Sequence, residues 1–237
     1  MAAPIGLNTR MNRTSHSPTV RRAGRPVGAD VAVATRKNIL DAATLCFAEL
    51  GYAAASNREI AQRAGVTSGS LYHYFDSKAA LYRAALLDAN TALINAYLEV
   101  VSEIPEASSV DQLCLGLERA FAVARSRPGM MNFASASALE IQRHKDLDWL
   151  AREDAEAFPM FFRKLLMRAK RRGELGAEVN IDAAMNVLLI SFASLAFLQG
   201  RQVDESAFDA SLKAFQQLLR GQMFLPVTRT PAPERAA

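Results

Sequence analysis

One stretch restricts what this chain can fold into more than any other: Ser56 to Lys78, SNREIAQRAGVTSGSLYHYFDSK. Ser56 and Glu59 have the spacing of a capping box, in which the serine oxygen takes a free amide and the glutamate reaches back. Ile60, Ala61 and Ala64 follow on one helical face. Gly65 stops that helix, because glycine enters the left-handed region without a side-chain clash. Val66 is the apolar plug of the corner, and Thr67 or Ser68 caps the next helix. In that second helix Leu71 and Phe75 lie four apart and face in, which turns Gly69, Tyr72 and His73 outward. Two short helices joined by a tight turn, the second presenting small, polar and aromatic residues, make a helix-turn-helix.

The flanking segments read as helices too. In Thr35 to Leu50 the residues Ile39, Ala43, Phe47 and Leu50 recur at helical spacing, with Cys46 at the border of the stripe. Gly51 supplies the stop and Tyr52 packs back. Asp76 or Ser77 caps a long helix from Lys78 to Ile104, with Leu81, Ala85, Ala89, Leu93, Ala96, Tyr97, Val100 and Ile104 as its stripe. Further helices are expected over Val110–Ser126, Pro128–Lys145, Leu147–Arg172 with a bend at Pro159, Ile181–Gly200 and Asp204–Met223. Strand-like alternation is missing throughout. The expectation is an all-α fold, with a disordered basic tail at 1–34, a DNA-binding unit at 35–82, a helical ligand-binding and dimerisation unit at 83–226, and a frayed tail at 227–237.

Charge and composition narrow the function classes. Residues 1–90 hold 11 Lys or Arg against 6 Asp or Glu, while residues 91–237 hold 17 against 18. The basic excess sits with the helix-turn-helix, as attraction to phosphate requires. Within the tail, Arg25 in Gly24-Arg25-Pro26 is an extended unit that can lie in an A·T-rich minor groove. The longest apolar run, Val187 to Leu198, has 12 residues and two serines, short of the roughly 20 of a membrane span. Together with an N-terminus lacking a secretory pattern, this points to a cytoplasmic protein without a membrane partner. Cys46 and Cys114 fall on separate apolar faces and read as buried thiols. His16, His73 and His144 have no metal-ligand spacing, and neither a phosphate-cradling loop nor a nucleophile elbow is present. The reading is therefore not an enzyme, with no cofactor.

At these residues the chain resembles the TetR-type transcriptional regulators. Phe47, Gly51 and Tyr52 carry the resemblance first, then Glu59-Ile60-Ala61, Ala64-Gly65-Val66-Thr67, Gly69, Leu71-Tyr72-His73-Tyr74-Phe75, Lys78 and Leu81. The strong match spans about Arg36 to Leu87; beyond it only length and helical character agree. Ser56 stands where threonine is commoner in the family and keeps the capping oxygen. The resemblance implies DNA contacts at the matched positions, and the chemistry agrees. Thr67 and Ser68 can hold a phosphate at a helix N-terminus, where Arg36 and the segment start Ser56-Asn57 also offer polar groups. Gly69 lets the backbone approach base edges, Tyr72 can bond a phosphate and pack on a thymine methyl, and His73 can donate to a phosphate. Arg58 points outward as a base reader, and Lys78 suits a phosphate.

The Met and Phe content between Phe121 and Met167 suits an apolar or amphipathic cavity, with Tyr97, Phe121, Met131, Phe158 and Phe162 as its lining. In this expectation the distal half of the long helix walls the cavity. Ile181–Gly200 is apolar nearly all round, which predicts a two-fold four-helix interface with the last helix, through Leu189, Ala193, Ala196, Phe197, Leu212 and Phe215. The function expected is a homodimeric repressor, released from a palindromic operator in double-stranded DNA by a small molecule. The alternatives are an architectural DNA binder without an inducer and a helical lipid-handling enzyme.

Overall fold

The computed structural model describes residues 27–150, 157–201 and 204–223. Among the described residues the chain is all-helical. Val27–Ala54 (α1), Asn57–Arg63 (α2) and Ser68–Tyr74 (α3) are followed by the long Lys78–Glu103 (α4). Then come Ser109–Arg125 (α5), Met130–Arg143 (α6), a 3₁₀ turn at Lys145–Leu147, Ala157–Arg171 (α7), Ile181–Gly200 (α8) and Glu205–Leu219 (α9).

Local chemistry accounts for most of the helix starts. Ser56, Thr67, Ser77, Ser108, Asn180 and Asp204 each sit at an N-cap and accept from an amide of the first turn, which satisfies donors that the helix itself leaves orphaned. Three sequence expectations shift. Helix α1 begins at Val27, so residues 27–34, expected in the disordered tail, are helical. Ala32, Ala34 and the acidic first-turn residue Asp30 favour that state without burial, and the Thr35 hydroxyl donates to Val31 O. Leu50, placed on the buried stripe, is exposed, because the chain breaks at Gly51 (φ 74°, ψ 171°) and turns Tyr52 into the interior instead. Leu139, read with Met130, Met131 and Phe133 as an apolar position of the helix expected over Pro128–Lys145, is likewise exposed. The inner face of α6 runs through Phe133, Ser137 and the partly buried Glu140.

Two apolar clusters form the interior. The first joins α1, α2, α3 and the start of α4 with Phe133, Leu147 and Leu150 from farther along the chain. At its centre Tyr82 packs at 4.9 Å from Phe47, 5.3 Å from Tyr52 and 5.0 Å from Phe133, ring centroid to centroid. The second cluster takes α4 from Ala89 onward with α5, α7, α8, α9 and the start of α6. The clusters part on α4 between Leu86 and Ala89, so this helix crosses from one interior to the other.

Helix α8 is, among the described residues, the one helix long and apolar enough to cross a bilayer by length and composition. Its Leu188, Leu195 and Ala196 are buried in the second cluster, while Val187, Ile190 (67% exposed) and Phe197 (56% exposed) face outward.

Candidate nucleic-acid interface and internal cavity

The helix-turn-helix is closed by its own hydrogen bonds. Ser56 Oγ accepts from Glu59 N at 3.1 Å, the first half of the expected capping box. The return half is absent, since the Glu59 carboxylate turns to Arg63. At the far end of α2, Val66 N donates to Ala61 O and Gly65 N to Gln62 O, at 2.9 and 3.2 Å. This is a Schellman close, and it requires the left-handed φ of 69° that Gly65 adopts. Thr67 Oγ1 then accepts from Ser70 N and starts α3. Ile60, Ala61, Leu71 and Phe75 are buried beneath, and Val66 is partly buried against them.

What remains outside is the predicted face. Arg58, Thr67, Ser68, Gly69, Tyr72 and His73 are exposed together on α2, the turn and α3. Tyr72 is 52% exposed, and His73 packs edge-on to Tyr74. Ser56 is exposed at the α2 start and Asn57 is partly covered, with Asn57 Oδ1 buried and unpartnered. Arg36 is exposed with its guanidinium 5.3 Å from the Phe75 ring centroid. Arg25 lies outside the described residues.

Lys78 departs from its expected role. Its ammonium donates to the carbonyls of Tyr52, Ala53 and Ala55 at 2.8, 3.1 and 3.2 Å and sits 4.5 Å from the Tyr52 ring centroid. All three donors are thereby committed within the chain. The cation closes the carbonyl end of α1 at the place where Gly51 interrupts it, which is the favourable site for a positive charge.

Tyr52 is held from several other directions. Its amide donates to Glu140 Oε2 of α6 at 2.8 Å, its hydroxyl donates to Asp146, and the His144 ring lies 5.1 Å away. Burial, then the Asp146 carboxylate, pushes the Tyr52 hydroxyl pKa well up, so it stays a donor. A second tie lies on the opposite flank. Arg127, 17% exposed at its side chain, bonds to Asp41 of α1 at 2.9 Å and also to Asp88 of α4. Burial works against its charge, and the two carboxylates outweigh that and raise its pKa. Glu140 and Arg127 were not anticipated from the sequence. Glu140 had a readable signal, a carboxylate seven residues after Phe133 on the inner stripe of α6; Arg127, in a turn, had none.

A cavity of about 370 Å³ opens beside these ties. Leu86 and Asn90 of α4 form one wall, and residues of α6 from Ala134 to Gln142 form the next. Leu150 ahead of α7, Phe158 and Pro159 at the start of α7, and Leu189, Phe192, Ala193 and Ala196 of α8 complete it. Of the expected lining only Phe158 is present. Tyr97 and Phe162 border a far smaller void of about 20 Å³. The reason is close packing: a Cβ at Gly116 would stand 2.4 Å from Tyr97 Cδ2, so the ring fills the space that glycine leaves. Burial pushes the Tyr97 hydroxyl up to about 12. Phe121 and Met131 are solid core. The proximal half of α4, not the distal half, therefore walls the cavity.

The residues expected at a two-fold interface divide. Ala193 and Phe197 are exposed on α8, and Leu189 and Phe215 are partly covered. Ala196 and Leu212 are buried in the chain's own second cluster and are not available to a partner. Their place on the outward stripe is taken by Val187 and Ile190, one helical turn apart.

Comparison with known proteins matches this geometry. Residues 39–85 match the family described as bacterial regulatory proteins, tetR family. The HTH-type transcriptional regulator UidR of Escherichia coli (strain K12) is 25% identical over 188 residues, covering 76% of this chain and 90% of that protein. The HTH-type transcriptional repressor KstR2 of Rhodococcus jostii (strain RHA1) is 43% identical over 67 residues, 28% of this chain and 33% of that protein. The transcriptional regulator FadR from Bacillus subtilis, solved in complex with stearoyl-CoA, superposes with a TM-score of 0.65 at 21% identity, covering 79% of this chain and 99% of that one. Residues 39–85 thus match the tetR family at the helix-turn-helix, and the described helices behind it take the all-helical fold of the regulator it superposes on.

Proposed function

We propose that this chain is a homodimeric transcriptional repressor, released from a palindromic operator when a small molecule fills the cavity between α4, α6, α7 and α8. The observation that carries the reading is mechanical. Two of the four helices that wall the cavity also hold the end of α1: α4 through Lys78 and α6 through Glu140. A ligand that displaces either helix shifts α2 and α3 with it. An effector acts only by binding two arrangements unequally, and two recognition helices set in successive major grooves tolerate little change in spacing. The names of the relatives UidR, a regulator, and KstR2, a repressor, support the same reading.

In this reading Arg58, Gly69, Tyr72 and His73 meet base edges and phosphates, Ser56, Asn57, Thr67, Ser68 and Arg36 meet phosphates, and Arg25 reaches a minor groove. The outward stripe Val187, Ile190, Ala193 and Phe197 pairs with its copy across a two-fold axis, removing an apolar surface that a monomer leaves in water. The protein works where the DNA is, in the cytoplasm. Footprinting on genomic fragments tests this. One short palindrome is expected, with half-sites about one helical turn apart or a multiple of it. Ile190→Glu should give a monomer by sedimentation and lose the footprint while keeping its helicity. Broad occupancy without boundaries, unchanged by Ile190→Glu, would instead mark an architectural DNA binder.

A further inference from the structure

We infer that the cavity selects an uncharged ligand that carries a hydrogen-bond donor beside an apolar body, such as an alcohol, phenol or amide, and discriminates against carboxylates and ammonium ions. This rests on the cavity being the effector site.

The first observation is the absence of charge. Among the described residues lining the 370 Å³ space, none is acidic or basic. An ion brought there loses its hydration, and the described walls offer it no counter-ion, a penalty far larger than for a neutral polar group. The second observation is the distribution of polarity. Phe158, Pro159, Leu189 and Phe192 make the α7–α8 side apolar, while Asn90, Ser135, Ser137 and Gln142 gather on the α4–α6 side.

The third is hydrogen-bond bookkeeping on that polar side. Ser135 Oγ donates to Asn132 O at 3.1 Å and Ser137 Oγ to Ala134 O at 2.7 Å. Each hydroxyl has thus committed its proton and presents only lone pairs. The side-chain amides of Asn90 and Gln142 have no hydrogen-bond partner among the described residues and offer both donors and acceptors. A carboxylate can only accept, so it meets two serine oxygens as repulsive neighbours. A hydroxyl or amide can donate to those oxygens and accept from the carboxamides. An ester or ketone satisfies half of the set.

Calorimetric titration of the full chain without DNA tests this, using one tail with four ends: dodecanol, methyl undecanoate, dodecanoate and dodecyltrimethylammonium. Dodecanol should bind about tenfold tighter than either ion and about threefold tighter than the ester. Ser135→Ala combined with Ser137→Ala should abolish the preference for alcohol over ester, because it removes the two oxygens to which only the alcohol can donate. Gln142→Lys, an exposed change that adds a cation at the mouth, should bring dodecanoate level with dodecanol or ahead of it. Dodecanoate binding as tightly as dodecanol in the unaltered chain, no heat from any of the four, or an unchanged preference in both variants overturns the inference. The operator is left out of this titration, so the two readings separate. Selective dodecanol binding that leaves operator affinity unchanged upholds the ligand class and removes the repressor mechanism.

Discussion

In the first apolar cluster, which joins Ile39 to Leu86 with Phe133, Leu147 and Leu150, rings and caps leave little unused. Phe47, Tyr52, Tyr82 and Phe133 interlock, Ser56 and Thr67 close the starts of α2 and α3, and Lys78 closes the interrupted end of α1. The second cluster is built differently. It lines the 370 Å³ cavity with Phe158, Leu189, Phe192 and Ala196, opposite Leu86 and Leu150 at the edge of the first cluster, and one of its helices, α8, presents Val187, Ile190 and Phe197 to water. A tightly filled region holds one shape, since interiors at crystal-like density do not deform continuously. A region with spare volume and an uncovered apolar face accommodates a guest and a partner. The contrast assigns rigidity to the recognition unit and adaptability to the part behind it.

The largest test of this contrast is Phe47→Ala against Leu189→Ala. The first removes a ring from a filled cluster and should cost about 3–5 kcal/mol. The second trims a wall that already faces open space and should cost well under 2 kcal/mol. Urea unfolding midpoints compare them directly, and equal losses would mean that the two interiors are equally filled.

Lys78→Met comes next. It deletes three hydrogen bonds from a partly buried cation and should destabilise the chain by about 2–3 kcal/mol. The salt dependence of DNA affinity should stay the same, because no ammonium donor is left over for a phosphate. A salt slope lowered by about one unit with stability intact would return Lys78 to the phosphate role read from the sequence.

The smallest effect belongs to the second region's surface. The Ser108 hydroxyl, then the Arg220 guanidinium, hold the Asp111 carboxyl below its ordinary range, and Arg220 ties α9 to the start of α5. A carboxyl with a depressed folded pKa contributes fully above the unfolded value, about 3.9 for Asp, and loses that contribution as pH falls through the folded value. The pair is half exposed, so screening keeps the effect of Asp111→Asn below about 1 kcal/mol at neutral pH. The difference from the unaltered chain should vanish in acid. A difference that persists at the lowest pH where the protein stays folded would show that packing, not charge, joins these helices.

Ser56 to Phe75 was readable residue by residue because its instructions are local. A cap acts over three residues, a Schellman close over six, and an apolar face over one or two turns. The same locality explains why Arg58, Tyr72 and His73 were found on the outer face and why the helix order was anticipated. Three residues past this stretch the sequence misjudged Lys78, since its three carbonyl partners come from Tyr52, Ala53 and Ala55, more than twenty residues upstream.

Tertiary structure alone decided where the empty space lies. Tyr97, Phe121, Met131 and Phe162 have the chemistry of a cavity wall, yet Gly116 lets Tyr97 settle against α5 and the other three are buried in the core. The void appears instead where small residues of α6 and α8, Ala134, Ala138, Ala193 and Ala196, face one another. The ties from Glu140 to Tyr52 and from Arg127 to Asp41 and Asp88 were invisible for the same reason. Each joins positions roughly 40 to 90 residues apart, and periodicity reports which side of a helix is apolar but not which helix lies across from it.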